Sequence, residues 1–165
     1  MTYYNPVFHF GEEKFVRKAK RFGVDGVIVP DLPPEEAGTL MKAAKKNNLA
    51  TVFFLAPTTT KERMKKIVEV SSGFIYYVSL TGVTGARQLL PFDVIRNVRT
   101  AKKYTQKAIC VGFGVSTPGQ VRAIAKIADG VIVGSAIVSE IAKNAKRKDI
   151  VKNVSQFVSR LAKNL

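Results

Sequence analysis

A chain of 165 residues has the length of one domain with a core of its own, and 46% hydrophobic with 24% charged residues is the composition of a globular protein, not of a disordered tail. No run of about 18 apolar residues occurs, which excludes a membrane-crossing helix; the opening MTYYNPVFHFGEEK has no basic segment followed by an apolar one, so no signal peptide is expected and the cytoplasm is the expected location. The net charge of +15 raises nucleic acid as a partner, but the cations fall on helix faces without interleaved aromatic residues, which points instead to a solvated Lys-rich surface.

Residues 1–8, MTYYNPVF, read as the tail of a strand running into a loop. Phe15, Ala19 and Phe22 then share one helical face, with Lys14, Arg17, Lys18, Lys20 and Arg21 elsewhere on the helix. The apolar run GVIVPD from Gly26 reads as a strand ending at Asp31, followed by a helix with Leu40, Met41 and Ala44 on its inner face. ATVFFLAP from Ala50 is the next strand, and Met64, Ile67 and Val68 mark the next helix. FIYYVSL from Phe74 runs into SLTGVTGAR (79–87), whose glycines among small polar residues read either as a lid over a site or as an ordinary surface loop. AICVGFG from Ala108 leads to a helix opened by Thr117-Pro118 and carrying Val121, Ile124, Ala125 and Ala128 inward. GVIVGSA from Gly130 opens a further helix. The last one carries an apolar stripe of Ile150, Val151, Val154, Phe157, Val158, Leu161 and Leu165, with Asp149 placed to cap it.

Continuous Val/Ile/Phe runs without alternation fit parallel strands buried on both faces. Their starts recur about every 24 residues, apart from the longer step between Phe74 and Ala108, and strand-then-helix at that spacing is the βα unit. Counting the shortened strand at the N-terminus gives about six strands in one α/β domain over residues 1–165. Six such units do not close an eight-stranded barrel by themselves, and an open doubly wound sheet remains the alternative.

The turns Val-Gly-Phe-Gly-Val-Ser (111–116) and Val-Ile-Val-Gly-Ser-Ala (131–136) each close a strand and open a helix. Backbone N–H groups at two adjacent helix N-termini can hold one phosphate dianion, so a small phosphorylated metabolite is the expected ligand. Asp31, at a strand C-terminal end, reads either as an active-site carboxylate or as a turn residue before Pro33. His9 reads as a surface or packing residue. Cys110 is the sole cysteine and is expected to be a small buried hydrophobe, and no clustering of His, Cys or carboxylates suggests a metal.

MTYYNPVF, GVDGVIVPDLPPEE, FLAPTTTKER, FIYYVSLTGVTGAR, VGFGVSTPGQV and GVIVGSAIV, six segments in register across essentially the whole chain, resemble the tryptophan synthase α-subunit family. The resemblance implies a (β/α)8 TIM-barrel family fold, here an incomplete barrel of about six parallel βα units (units three to eight). It implies a lyase of tryptophan biosynthesis that cleaves indole-3-glycerol phosphate to indole and glyceraldehyde 3-phosphate. The family's phosphate-binding N–H groups match Gly85, Phe113, Gly114, Gly134 and Ser135; its lid threonine matches Thr84; the tyrosine beside the reacting centre matches Tyr76. The indole pocket matches Met1, Val29 and Phe54, and contacts to the β subunit match Asn5, Pro6, Phe8, Asp31 and Pro33. No cofactor is implied for this chain, since pyridoxal phosphate belongs to the β subunit.

In the family two βα units precede the strand that ends in TYYNP, and they carry the glutamate acid–base and the aspartate that holds the indole N–H. Neither has a counterpart in residues 1–165, and Asp31 and Glu35 are not suited to replace them. Each positioned acid–base group contributes about 10²–10⁴-fold, so the chain alone is expected to bind phosphate and to be inactive or nearly so. Its open sheet edges are expected to favour self-association. The remaining readings are a phosphate-binding or β-docking fragment without catalysis and, last, a nucleic-acid binder.

Overall fold

The computed structural model describes residues 1–78, 92–112 and 114–165. All five apolar runs form strands: β1 (Gly26–Ile28), β2 (Ala50–Val52), β3 (Phe54–Leu55), β4 (Ile75–Val78), β5 (Ile109–Gly112) and β6 (Gly130–Ile132), the run from Ala50 being divided at Phe53 into two segments. Helices alternate with them: α1 (Tyr4–Phe10), α2 (Glu12–Arg21), α3 (Gly38–Lys46), α4 (Lys61–Val70), α5 (Phe92–Lys102), α6 (Pro118–Ala125), α7 (Ser135–Asn144) and α8 (Ile150–Ala162). Among the described residues no helix is long and apolar enough to cross a membrane.

The described chain forms two compact units. The first holds Met1–Leu55, Thr59–Tyr76 and Tyr104–Lys107. Here β1 and β2 pair in parallel, Gly26 opposite Ala50 and Ile28 opposite Val52, while β3 neighbours β4 and the Tyr76 N–H donates to the Phe53 carbonyl at 3.1 Å. Val16, Leu40, Leu55, Met64, Ile67 and Ile75 build its core. The expected inner face of α2 is rotated: Val16 is its fully buried residue, and Phe22 stands 73% exposed.

The second unit holds Ala56–Thr58, Tyr77–Lys103 and Ala108–Leu165, with strand order β4-β5-β6. β5 and β6 are parallel, with Cys110 opposite Gly130. A Cβ on Gly130 would lie 2.8 Å from the Cys110 sulfur, so this close pair needs glycine at the start of β6. Tyr77, Val98, Ile109, Val121 and Ile124 form the core. Cys110 is half-buried, not buried outright, and burial, assisted by the Asp129 charge, pushes its thiol up.

Two expectations about chain ends change. Residues 4–10 are a helix, where a loop was expected, and residues 1–3 form no strand although one was expected to end there; the Thr2 N–H donates a single bond to the Ile28 carbonyl at 3.1 Å. The apolar stripe of α8 is mostly not buried: Leu161 is, but Val151 and Leu165 are well exposed. Polar ties hold the helix instead, with Arg122 donating twice to Asn164 (3.2 and 2.6 Å) and Asn153 donating to Asn144 (2.8 Å). Asp149 occupies the N-cap of α8 but makes no side-chain cap; Arg147 binds its two oxygens at 2.8 and 3.0 Å.

Candidate functional site

The second unit contains both glycine turns. After β5, Gly114 has φ +70°, the left-handed region in which a side chain costs about 1–2 kcal/mol, so the turn requires glycine. The following helix closes its own N-terminus. The Gln120 Oε1 accepts the Ser116 N–H at 2.8 Å and the Thr117 N–H at 3.1 Å, and the Thr117 hydroxyl accepts the Gln120 N–H at 3.3 Å, a complete capping box. These donors are therefore spent within the protein. The terminus of α7 differs: Gly134 is its N-cap, no side chain caps it, and beyond its two chain neighbours the space where a Cβ on Gly134 would stand is open. Its first N–H groups and positive dipole end carry no side-chain cap and can meet an anion. The two turns were expected to hold one phosphate together; the capping box closes the helix end after the first of them, and Thr-x-x-Gln at 117–120 was the sequence signal for it. Phe113, Thr84 and Gly85 lie outside the described residues.

The first unit holds the expected pocket and docking residues, of which Val29, Asp31 and Pro33 follow the C-terminal end of β1. Phe54 in β3 and Tyr76 in β4 meet as a tilted pair with ring centroids 5.0 Å apart, and the Phe74 ring lies 6.5 Å from that of Tyr76. Both Phe54 and Tyr76 are half-buried, and burial pushes the Tyr76 phenol up. Val29 is buried just past β1. Met1 stands apart from these rings: with Pro6, Phe10, Phe22 and Val24 it lines an apolar groove of about 570 Å³ beside α1 and α2. A cavity of about 620 Å³ at the other strand ends, lined by Asp25, Lys45, Asn48, Thr51 and Ser72 among others, contains none of the expected site residues.

Asn5, Pro6 and Phe8 lie on α1, where Phe8 is 62% exposed beside Tyr4, their centroids 5.8 Å apart. Asp31 and Pro33 lie on the loop after β1. The structure brings the two groups together through a bond that no local sequence rule foretold: both oxygens of Asp31 accept the Tyr4 N–H, at 2.9 and 3.1 Å. Glu35 on the same loop pairs with Arg63 (3.0 and 3.2 Å) and Lys66 (3.5 Å). A backbone hydrogen bond, ahead of those two charges, holds its carboxyl below the usual range. A carboxylate so engaged is a structural tie and not a free acid–base group. Among the described residues no group of His, Cys or carboxylates is arranged to hold a metal ion.

The model of the tryptophan synthase alpha chain family matches residues 1–165. The chain is 47% identical to the tryptophan synthase alpha chain of Methanocaldococcus jannaschii, over 95% of this chain and 56% of that protein, and 47% identical to that of Geotalea daltonii, over 98% and 61%. Among solved structures it matches the tryptophan synthase α2β2 complex of Pyrococcus furiosus at 39% identity and a TM-score of 0.89, covering 99% of this chain and 65% of that one. A mutant tryptophan synthase α subunit from the same organism matches at 38% identity with a TM-score of 0.87, again over 99% of this chain and 65% of that one. The chain thus spans about three fifths of the length of the curated relatives it matches. Its order of parallel strands and helices is that of the α/β barrel class expected from the sequence. On a family match over every residue and a common fold, this chain belongs to the tryptophan synthase alpha chain family.

Proposed function

We propose that this chain provides binding and docking functions for cleavage of indole-3-glycerol phosphate in tryptophan biosynthesis. In that reaction the carbon–carbon bond between indole C3 and the glycerol chain breaks as a hydroxyl proton leaves and C3 gains a proton, giving indole and glyceraldehyde 3-phosphate. Gly114, Gly134 and Ser135 are assigned to a phosphate, with Phe113 and the lid residues Thr84 and Gly85 alongside from the family pattern. Val29, Phe54 and Tyr76 are assigned to an indole from the same pattern, with Met1 less directly because it faces the groove beside α1. Asn5, Pro6, Phe8, Asp31 and Pro33 serve docking to a tryptophan synthase β subunit.

The observation that carries this reading is the uncapped N-terminus of α7 at Gly134, set against the self-capped terminus of α6. An uncapped N-terminus ending in a glycine turn leaves donors for a dianion. No carboxylate in residues 1–165 matches the family's acid–base pair, so the reading gives this chain binding without turnover by itself. It calls for no cofactor in this chain and places it in the cytoplasm. Calorimetric titration with glycerol 3-phosphate tests it: saturable binding competed by inorganic phosphate is expected, with no indole released from indole-3-glycerol phosphate. Absence of binding to either phosphate overturns the reading.

A further inference from the structure

We infer that Asp31 is a positioning residue: from 27 residues away its carboxylate caps the first turn of α1 and so sets the helix that carries Asn5, Pro6 and Phe8, acting on the partner through α1 and not by touching it. The inference rests on the docking role proposed above for α1.

A helix leaves its first N–H groups without intrahelical acceptors, and a side-chain oxygen at the N-cap usually takes one of them. The N-cap of α1 is Tyr3, which makes no side-chain cap. Pro6, in the first turn, has no N–H to satisfy, so Tyr4 and Asn5 carry the unmet donors there. Asp31 takes the Tyr4 N–H with both oxygens, at 2.9 and 3.1 Å, and places negative charge at the positive end of the helix.

The loop that holds Asp31 is anchored on its own account. The Leu32 N–H donates to the Val29 carbonyl at 3.2 Å and the Glu36 N–H to the Pro33 carbonyl at 3.0 Å. Leu32 and Pro34 are buried, and Arg63 grips Glu35 by two hydrogen bonds. The other ties of α1 sit at its C-terminal end or on α2: Val7 is its one buried residue, the Tyr4 hydroxyl reaches Glu12 at 3.3 Å, and Lys14 and Lys18 stand over the Phe10 ring at 4.8 and 5.4 Å. A short surface helix with one buried side chain takes its orientation from its end contacts. Asp31 thus transfers the rigidity of the β1 loop to the exposed Phe8 face.

The experiment compares Asp31→Asn with Asp31→Ala in the 165-residue chain, measuring affinity for the β subunit of the Pyrococcus furiosus complex and amide exchange at Phe8, His9 and Phe10. Asparagine keeps an oxygen that caps a helix but removes the charge. A positioning role predicts that Asp31→Ala weakens β-subunit binding by about 2- to 30-fold and speeds exchange in α1 by a similar factor. It also predicts that Asp31→Asn restores both to near wild type. Equal loss of affinity in both variants with α1 exchange unchanged means the charge meets the partner directly and overturns the inference; so does Asp31→Ala leaving both measurements unchanged. Failure of the wild-type chain to bind the β subunit overturns the docking reading instead, while exchange in α1 still reports whether Asp31 caps the helix.

Discussion

In the first unit the candidate groups are side chains, Val29, Phe54, Tyr76 and the α1 residues, and they are set in place by contacts between distant parts of the chain. In the second unit the candidate groups are backbone N–H groups at Gly114, Gly134 and Ser135, set by turns a few residues long. A site of the first kind tolerates changes of backbone sequence that preserve packing and is damaged by truncating one ring. A site of the second kind is indifferent to side chains and is damaged wherever a Cβ has no room or φ must be positive.

The strongest way to break the second kind is at the strand that feeds its turn. Gly130→Ala puts a Cβ 2.8 Å from the Cys110 sulfur across the β5–β6 pair. Overpacking of this sort costs about 1–3 kcal/mol, read as a lower urea midpoint with the slope unchanged. Adding Cys110→Ala removes the clashing sulfur, so the double variant is expected to be more stable than Gly130→Ala alone. A double variant that is less stable by the sum of the two single losses shows that the strands had moved apart without the clash.

A smaller effect separates the two kinds directly. Ser135→Ala leaves the backbone N–H in place, so glycerol 3-phosphate affinity should stay within about twofold of wild type. Phe54→Ala removes the ring that meets Tyr76 at 5.0 Å. An aromatic contact of that kind made by Phe54 to an indole is worth about 0.5–1.5 kcal/mol, hence roughly 2- to 13-fold in the affinity of indole-3-glycerol phosphate. If Ser135→Ala weakens phosphate binding tenfold, the hydroxyl is the donor and the contrast between the units fails at that point.

What could be read from the sequence follows the same division. The strands from Gly26, Ala50, Phe74, Ala108 and Gly130 were legible because unbroken Val/Ile/Phe runs have one economical fate, and the inner faces of α4 and α6 followed from helical spacing. The Thr117–Gln120 capping box was written within four residues. The turn glycines were visible as well. The helix at α1 was not legible: its cap comes from Asp31, and a reader of local signals finds Tyr3 at the N-cap position. Nor was the exposed stripe of α8, because periodicity reports which residues are able to face a core and says nothing of how much core there is to face.

The smallest effect tests whether local ties in the second unit act by charge. Arg147 and Asp149 are two residues apart between α7 and α8, and two hydrogen bonds from the guanidinium hold the Asp149 carboxyl at about 2. A carboxyl lowered in the folded state stabilises it above the unfolded value of about 3.9, and that contribution is lost as pH falls through the folded value. The window therefore runs from about pH 4 down to about pH 2. Because the pair is exposed, the contribution is small and screened by salt. Carboxyl NMR titration should find Asp149 near 2 in the wild type and close to 3.9 in Arg147→Gln. The small stability advantage of the wild type over that variant should be present at pH 5 and shrink by pH 2. An advantage that is constant across that range would show that Arg147 acts through packing at the α7–α8 turn, and the tie would then belong with the side-chain contacts of the first unit.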